Sequence, residues 1–174
     1  MRYFFIKQDA KLVHGPQIVN WYQKINVEDI QPGTYYKIPN RVVLPVRGDK
    51  DTIFPEVLFH PFFMISKKIK DVLKLYEPAL KYKEIVLLDG QNNKAEVYFL
   101  PFLEEIDCIV KEKTVYGQFH ASIEKGALSK AAVGENSIFF IRHNNDKYII
   151  VRLDLLESML RRDAILRIEE LETV

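Results

Sequence analysis

The sequence predicts an α+β fold: a single domain with a mixed, mostly antiparallel sheet and two main helices. Three observations predict it. Two amphipathic segments with capping signals mark helices at about residues 66–77 and 154–162. At least six apolar stretches of strand length lie around them, beginning with MRYFFI at residues 1–6. Two pairs of those stretches flank short segments rich in Asp, Asn and Gly, the signature of hairpins.

The elements follow in chain order. MRYFFI reads as a strand. Beyond it, Pro16, Pro32, Pro39, Pro45 and Pro55 interrupt residues 1–55, which reads as short strands and loops covering one edge of the sheet. Residues 56–174 are more regular. Ser66 is placed to cap a helix, because its hydroxyl accepts a bond from a free first-turn amide. Ile69, Val72, Leu73, Tyr76 and Leu80 then fall on one helical side, and Lys67, Lys68, Lys70, Asp71 and Lys74 form a solvated one. Glu77-Pro78 ends the helix, since proline restricts the residue before it.

EIVLL at 84–88 is a continuous apolar run, the pattern of a buried strand, and pairs across Asp89-Gly90-Gln91-Asn92-Asn93 with residues 95–100. SIFFIRH at 137–143 and KYIIVRL at 147–153 flank Asn144-Asn145-Asp146, and their apolar runs predict two central strands. Asp154 with Glu157 reads as a capping box. Ile165, Leu166 and Ile168 open the last strand. Aligning Ser66 with Asp154 suggests a weak strand–helix–strand repeat. The predicted core is Ile69, Val72, Leu73, Phe139, Ile141, Ile149, Val151, Leu156 and Leu160.

Composition narrows the function. The chain of 174 residues carries 25 basic and 24 acidic side chains. The first 60 residues hold 8 and 6 of them, so neither part has the cationic footprint of a nucleic-acid binder. Hydrophobic residues at 48% and charged residues at 28% describe a folded chain. No apolar run is long enough for a signal-peptide core or a transmembrane helix, and the one cysteine, Cys108, suits a reducing compartment; the expected location is the cytoplasm. Association with a second copy stays open.

Catalytic patterns are sparse. His14, His60, His120 and His143 lack the spacing of a helix-borne metal pair, and no phosphate-cradling glycine motif or nucleophile elbow occurs. No cofactor or metal is therefore expected. Cys108 sits between Ile106 and Ile109, as a buried structural cysteine does, and Glu104, Glu105 and Asp107 read as a solvated strand edge. Trp21, Tyr22, Tyr35 and Tyr36 are the candidate partner-binding residues, because each joins a large apolar face to a polar handle.

The order FHPFFMISKKIKDVLKLYEP, then KEIVLLDG with VYFLPFLEEIDC, then VGENSIFFIRHNNDKYIIVRLDLLESMLRR resembles a bacterial family assigned as immunity proteins of polymorphic toxin systems. The resemblance covers about residues 55–172. It implies a non-enzymatic protein that neutralises a cognate toxin by stoichiometric binding, and it carries no catalytic residues to place on this chain. A small enzyme with dispersed catalytic residues and a ligand-binding accessory domain are the alternatives.

Overall fold

The computed structural model describes residues 1–174. In chain order the strands and helices are β1 (Tyr3–Gln8), β2 (Gln17–Ile18), β3 (Arg41–Arg47), β4 (Val57–Leu58), β5 (Met64–Ile65), α1 (Lys67–Tyr76), β6 (Tyr82–Asp89), β7 (Lys94–Pro101), β8 (Val115–Tyr116), β9 (Ile123–Lys125), β10 (Ala127–Leu128), α2 (Lys130–Val133), β11 (Ile138–His143), β12 (Asp146–Arg152), α3 (Leu153–Leu160) and β13 (Leu166–Thr173). The fold is α+β with mostly antiparallel pairing, and α1 and α3 are its main helices. The strands divide into two large sheets and one small one. One sheet has the order β10-β13-β1-β12-β11, the second β2-β3-β6-β7-β5-β4, and β8 and β9 pair by themselves.

The predicted repeat is a repeat of topology. In the second sheet, α1 connects β5 to β6, and β7 lies between them, antiparallel to both. In the first, α3 connects β12 to β13 across β1, again antiparallel to both. Each unit is thus two parallel strands split by an inserted antiparallel one, with a crossover helix between them. The apolar sides of the two helices meet in one cluster of 18 buried residues. That cluster joins Ile69, Val72 and Leu73 of α1 to Leu155, Leu156 and Met159 of α3 and to Phe4, Ile6, Phe140 and Val151 of the first sheet. Tyr76 donates its hydroxyl proton to the Asp154 carbonyl at 3.1 Å and lies 2.8 Å from Ser158 Oγ, tying the two helices directly.

Ser66 caps α1 as predicted, its hydroxyl accepting from Ile69 N–H, and the helix stops at Tyr76 with Glu77 as its C-cap. Glu77 also accepts from Ser137 N–H at 2.6 Å, so the end of α1 is fastened to the start of β11. The other expected cap is absent. Arg152 occupies the N-cap of α3, and Asp154 lies in the first turn, where its carboxylate pairs with Arg152 at 2.8 Å. A second difference lies at the end of the same helix: Leu155, Leu156 and Met159 turn inward, but Leu160, its last residue, is 40% exposed, whereas the other predicted core residues are buried. Lys70 also departs from the solvated side of α1. Its ammonium lies 3.6 Å from the centre of the Phe99 ring, and burial, helped by neighbouring Lys74, lowers its pKa.

The first sheet is covered on both faces, which is why its strands read as continuous apolar runs. Phe4 and Ile6 enter the shared cluster, and Tyr3 and Phe5 enter an opposite one with Cys108, Phe139, Ile141 and Leu171. β12 is central, as expected, but β11 is an edge strand. The edge is occupied by the 104–106 segment, where Phe140 N–H donates to Glu104 O and Ile106 N–H to Phe140 O, both at 3.0 Å.

The first part of the chain does more than cover an edge. β1 is the middle strand of the first sheet, and β3 pairs in parallel with β6 inside the second. Between them, residues 21–37 carry three 3₁₀ turns, and Ile25, Ile30 and Ile38, which follow them in turn, close a 14-residue cluster over one face of the second sheet.

The β6–β7 turn is held by Asp89, which is 1% exposed. Its carboxylate accepts from the Asn92 side chain at 2.8 Å and from the Gln91 and Asn92 amides, and these bonds hold its pKa below the ordinary 3.8. A depressed carboxylate stabilises the fold fully above 3.8 and loses that contribution as pH falls through its folded value. Urea denaturation between pH 2 and 6 should therefore show a shallower acid loss in Asp89→Asn than in the wild type; equal slopes would remove Asp89 from the acid response. In the shared cluster, Leu73→Ala should cost about 2–5 kcal/mol in the same assay, and Leu160→Ala about 0.5 kcal/mol or less. Matching losses at both positions would contradict the helix orientations.

Candidate functional site

The four aromatics singled out from sequence sit on the 3₁₀ turns at 21–37, and the fold divides them into two pairs. Trp21 and Tyr35 turn inward to the 14-residue cluster. Trp21 meets Phe62 edge-on at 6.0 Å between ring centres, and Tyr35 meets Phe102 at 5.9 Å. Tyr35 also lies 3.9 Å from the Lys81 ammonium and 5.0 Å from that of Lys83. Lys83 is a buried lysine whose polar partner is Asn40 Oδ1 at 2.8 Å, so the Tyr35 face helps to accommodate its charge. Tyr22 and Tyr36 turn outward, at 64% and 69% exposure. The pairing Trp21-Tyr22 and Tyr35-Tyr36 is thus one packing residue followed by one solvent-facing residue, because three residues per 3₁₀ turn rotate neighbouring side chains by about 120°.

These turns form one wall of a cleft of about 580 Å³ between the two sheets. Val27 and Ile30 stand on that wall, Phe59 and Phe63 come from the loop before β5, and Phe140 and Lys147 come from β11 and β12. Lys147 is an exposed residue, but its ammonium reaches to 4.7 Å from the Phe140 ring centre and 3.5 Å from Ile30 O. Burial of that ammonium, with the neighbouring Arg142 charge, lowers its pKa. Arg142 is paired with Glu105 at 3.2 Å. Glu28 and Asp146 also face the cleft, so it carries both signs of charge around an apolar floor.

The residues with catalytic chemistry are dispersed. Cys108 is buried, and burial pushes its thiol up to about 11, leaving it protonated and unreactive at neutral pH. No three His, Cys, Asp or Glu side chains are placed to share a metal ion. His120 and His143 do converge, each about 5 Å from the Tyr116 ring. His143 Nε2 lies 2.8 Å from His120 O, and the Asn144 side-chain amide donates to the same carbonyl at 3.1 Å. The arrangement braces the β8–β9 loop, where Phe119 is 99% exposed and has a positive φ of 55°. Neither this convergence nor the exposure of Phe119 has a sequence signal, because the partners stand 23 residues apart across two hairpins.

The aromatic pairs make a direct expectation. Trp21→Ala and Tyr35→Ala should each lower stability by roughly 1–3 kcal/mol, since a packed ring leaves a void. Tyr22→Ala and Tyr36→Ala should stay within about 0.5 kcal/mol by chemical denaturation. Equal losses in the two pairs would reject the division.

No helix is long and apolar enough to cross a membrane. No curated protein and no solved structure matches the chain. A family match, however, runs from residue 4 in β1 to residue 151 in β12; it takes in the Pro-interrupted first part and stops before α3. The chain belongs to the immunity protein family Imm11, whose model it matches over residues 4–151.

Proposed function

We propose that this protein is a bacterial immunity protein that neutralises a cognate toxin by stoichiometric binding in the cytoplasm of the producing cell, with no reaction of its own. The observation that carries the reading is the family match, which spans strands of both large sheets. Binding of this kind needs a stable scaffold and a complementary surface. The buried, protonated Cys108 and the bracing role of His120 and His143 in the β8–β9 loop are in keeping with a scaffold. Of the four aromatics, Tyr22 and Tyr36 are the exposed pair, and that exposure supports a role for them in partner contact.

The cleft between the sheets favours a second reading, a ligand-binding accessory protein, because its volume of about 580 Å³ lies in the range of small-molecule sites. Co-expression separates the two. An immunity protein restores growth to cells producing the toxin encoded beside it and purifies with that toxin at a 1:1 ratio. Absence of both protection and complex, together with a metabolite retained in the cleft, would establish the second reading instead.

A further inference from the structure

The second large sheet has one face that its own fold does not finish. Side chains alternate along its strands. One set, which includes Leu44, Ile85, Leu87, Tyr98 and Leu100, enters the cluster under the 3₁₀ turns. The opposite set forms cross-strand rows defined by the register. Val43, Val86 and Val97 make one row, and Pro45, Leu88 and Ala95 make the next. The row before them ends in Phe99, and there α1 provides cover: Lys70 lies on Phe99, and Phe99 and Tyr82 pack against the shared cluster. Beyond that row the cover stops. Val43, Leu88 and Val97 are 39%, 44% and 44% exposed.

Topology explains the gap. A crossover helix lies over the strands that it crosses, and α1 passes from β5 to β6 over β7. A helix with its side chains is about 10–12 Å across, roughly two strand spacings, and ten residues of it run about 15 Å, whereas β6 and β7 are eight residues long and the sheet is six strands wide. β3 and the distal halves of β6 and β7 therefore receive no helix. Their sequences are nevertheless those of strands buried on both faces, VVLPV in β3 and IVLL in β6. The first large sheet, with the same kind of sequence, does have clusters on both faces.

The rim of the open half identifies its occupant. Arg41 and Arg47 stand on the same side of β3, Lys70 borders the Phe99 row, and Lys24 reaches the β3 edge, donating to Val43 O at 2.6 Å. The carboxylate in these rows is Glu84, already paired with Arg41 at 2.6 Å. A second copy would bring cations against cations, which disfavours self-association. Lys24 follows the turn that carries Tyr22, so a partner seated on the face and reaching over the β3 edge meets that exposed ring as well.

We propose that the uncovered half of the β3–β6–β7 face is where the toxin docks, and that the toxin presents there an apolar patch ringed by carboxylates. The proposal rests on the immunity reading and names its contact surface. The test uses the toxin purified with the wild-type protein, its active site inactivated, in titrations against full-length variants. Leu88→Glu and Val97→Glu should each weaken binding by roughly tenfold or more. Val86→Thr and Val97→Thr, which keep the β-branched shape, should weaken it in the same direction and serve if the glutamates unfold the sheet. Arg47→Glu should slow association and flatten its dependence on salt. Leu75→Glu, at an isolated site 77% exposed on α1, is the control and should change nothing. If the wild type binds the toxin and folded face variants bind equally well, this surface is wrong and the immunity reading stands. If the wild type captures no toxin, both fall. Sedimentation of the purified protein supplies the remaining outcome: a dimer abolished by Leu88→Glu would assign the face to a second copy and overturn the proposal.

Discussion

The architecture depends on the contact between the two crossover helices. α1 lies against β5 and β7 of the second sheet, and α3 against β12 of the first. Back to back, they share one buried cluster in which Ile69, Val72 and Leu73 face Leu155, Leu156 and Met159. The Tyr76 hydroxyl bonds across this contact, and Glu77 extends it to the Ser137 amide. Placement of the sheets, and hence of the cleft between them and of the open face beyond α1, follows from where this helix pair sits.

That arrangement divides the labour between the sheets. The first is sealed on both sides, with its middle strand drawn from the N-terminus and clasped by two strands from near the C-terminus. Such long-range pairing makes the chain ends part of the core. The second sheet carries the first-part turns on one face and α1 on half of the other. Its finished face stabilises the scaffold, and its unfinished half leaves apolar β-branched side chains in water beside a cationic rim. For a protein whose family is defined by immunity, an interaction surface on a rigid sheet has a physical advantage: little conformational entropy is lost when a partner covers it.

The aromatics of the first part show how local chemistry and tertiary context separate. Sequence reasoning recognises Trp21, Tyr22, Tyr35 and Tyr36 as one class, because their side chains share the same amphipathic character. The 3₁₀ turns then send alternate members to different tasks. Trp21 braces Phe62, Tyr35 shields the buried Lys83, and Tyr22 and Tyr36 face solvent. The cleft was not legible at all, since it exists only where Ile30, Phe63 and Phe140 from three distant segments approach one another.

By itself the sequence determined the fold class, the Ser66-capped helix, both long hairpins and the strand–helix–strand repeat. The helix, the hairpins and the order of elements in the repeat are written in residues near in the chain: a hydroxyl three residues from an amide, a turn between adjacent strands, an apolar side at helical spacing. The division into two sheets, the outward turn of Leu160, the edge position of β11 and the central position of β1 were decided only by tertiary structure. The open face shows why. Apolar periodicity reports that a strand side wants cover, and EIVLL reads as buried for that reason. Whether cover is present depends on which strands a crossover helix passes over, and that is a property of strand order, which no local pattern contains.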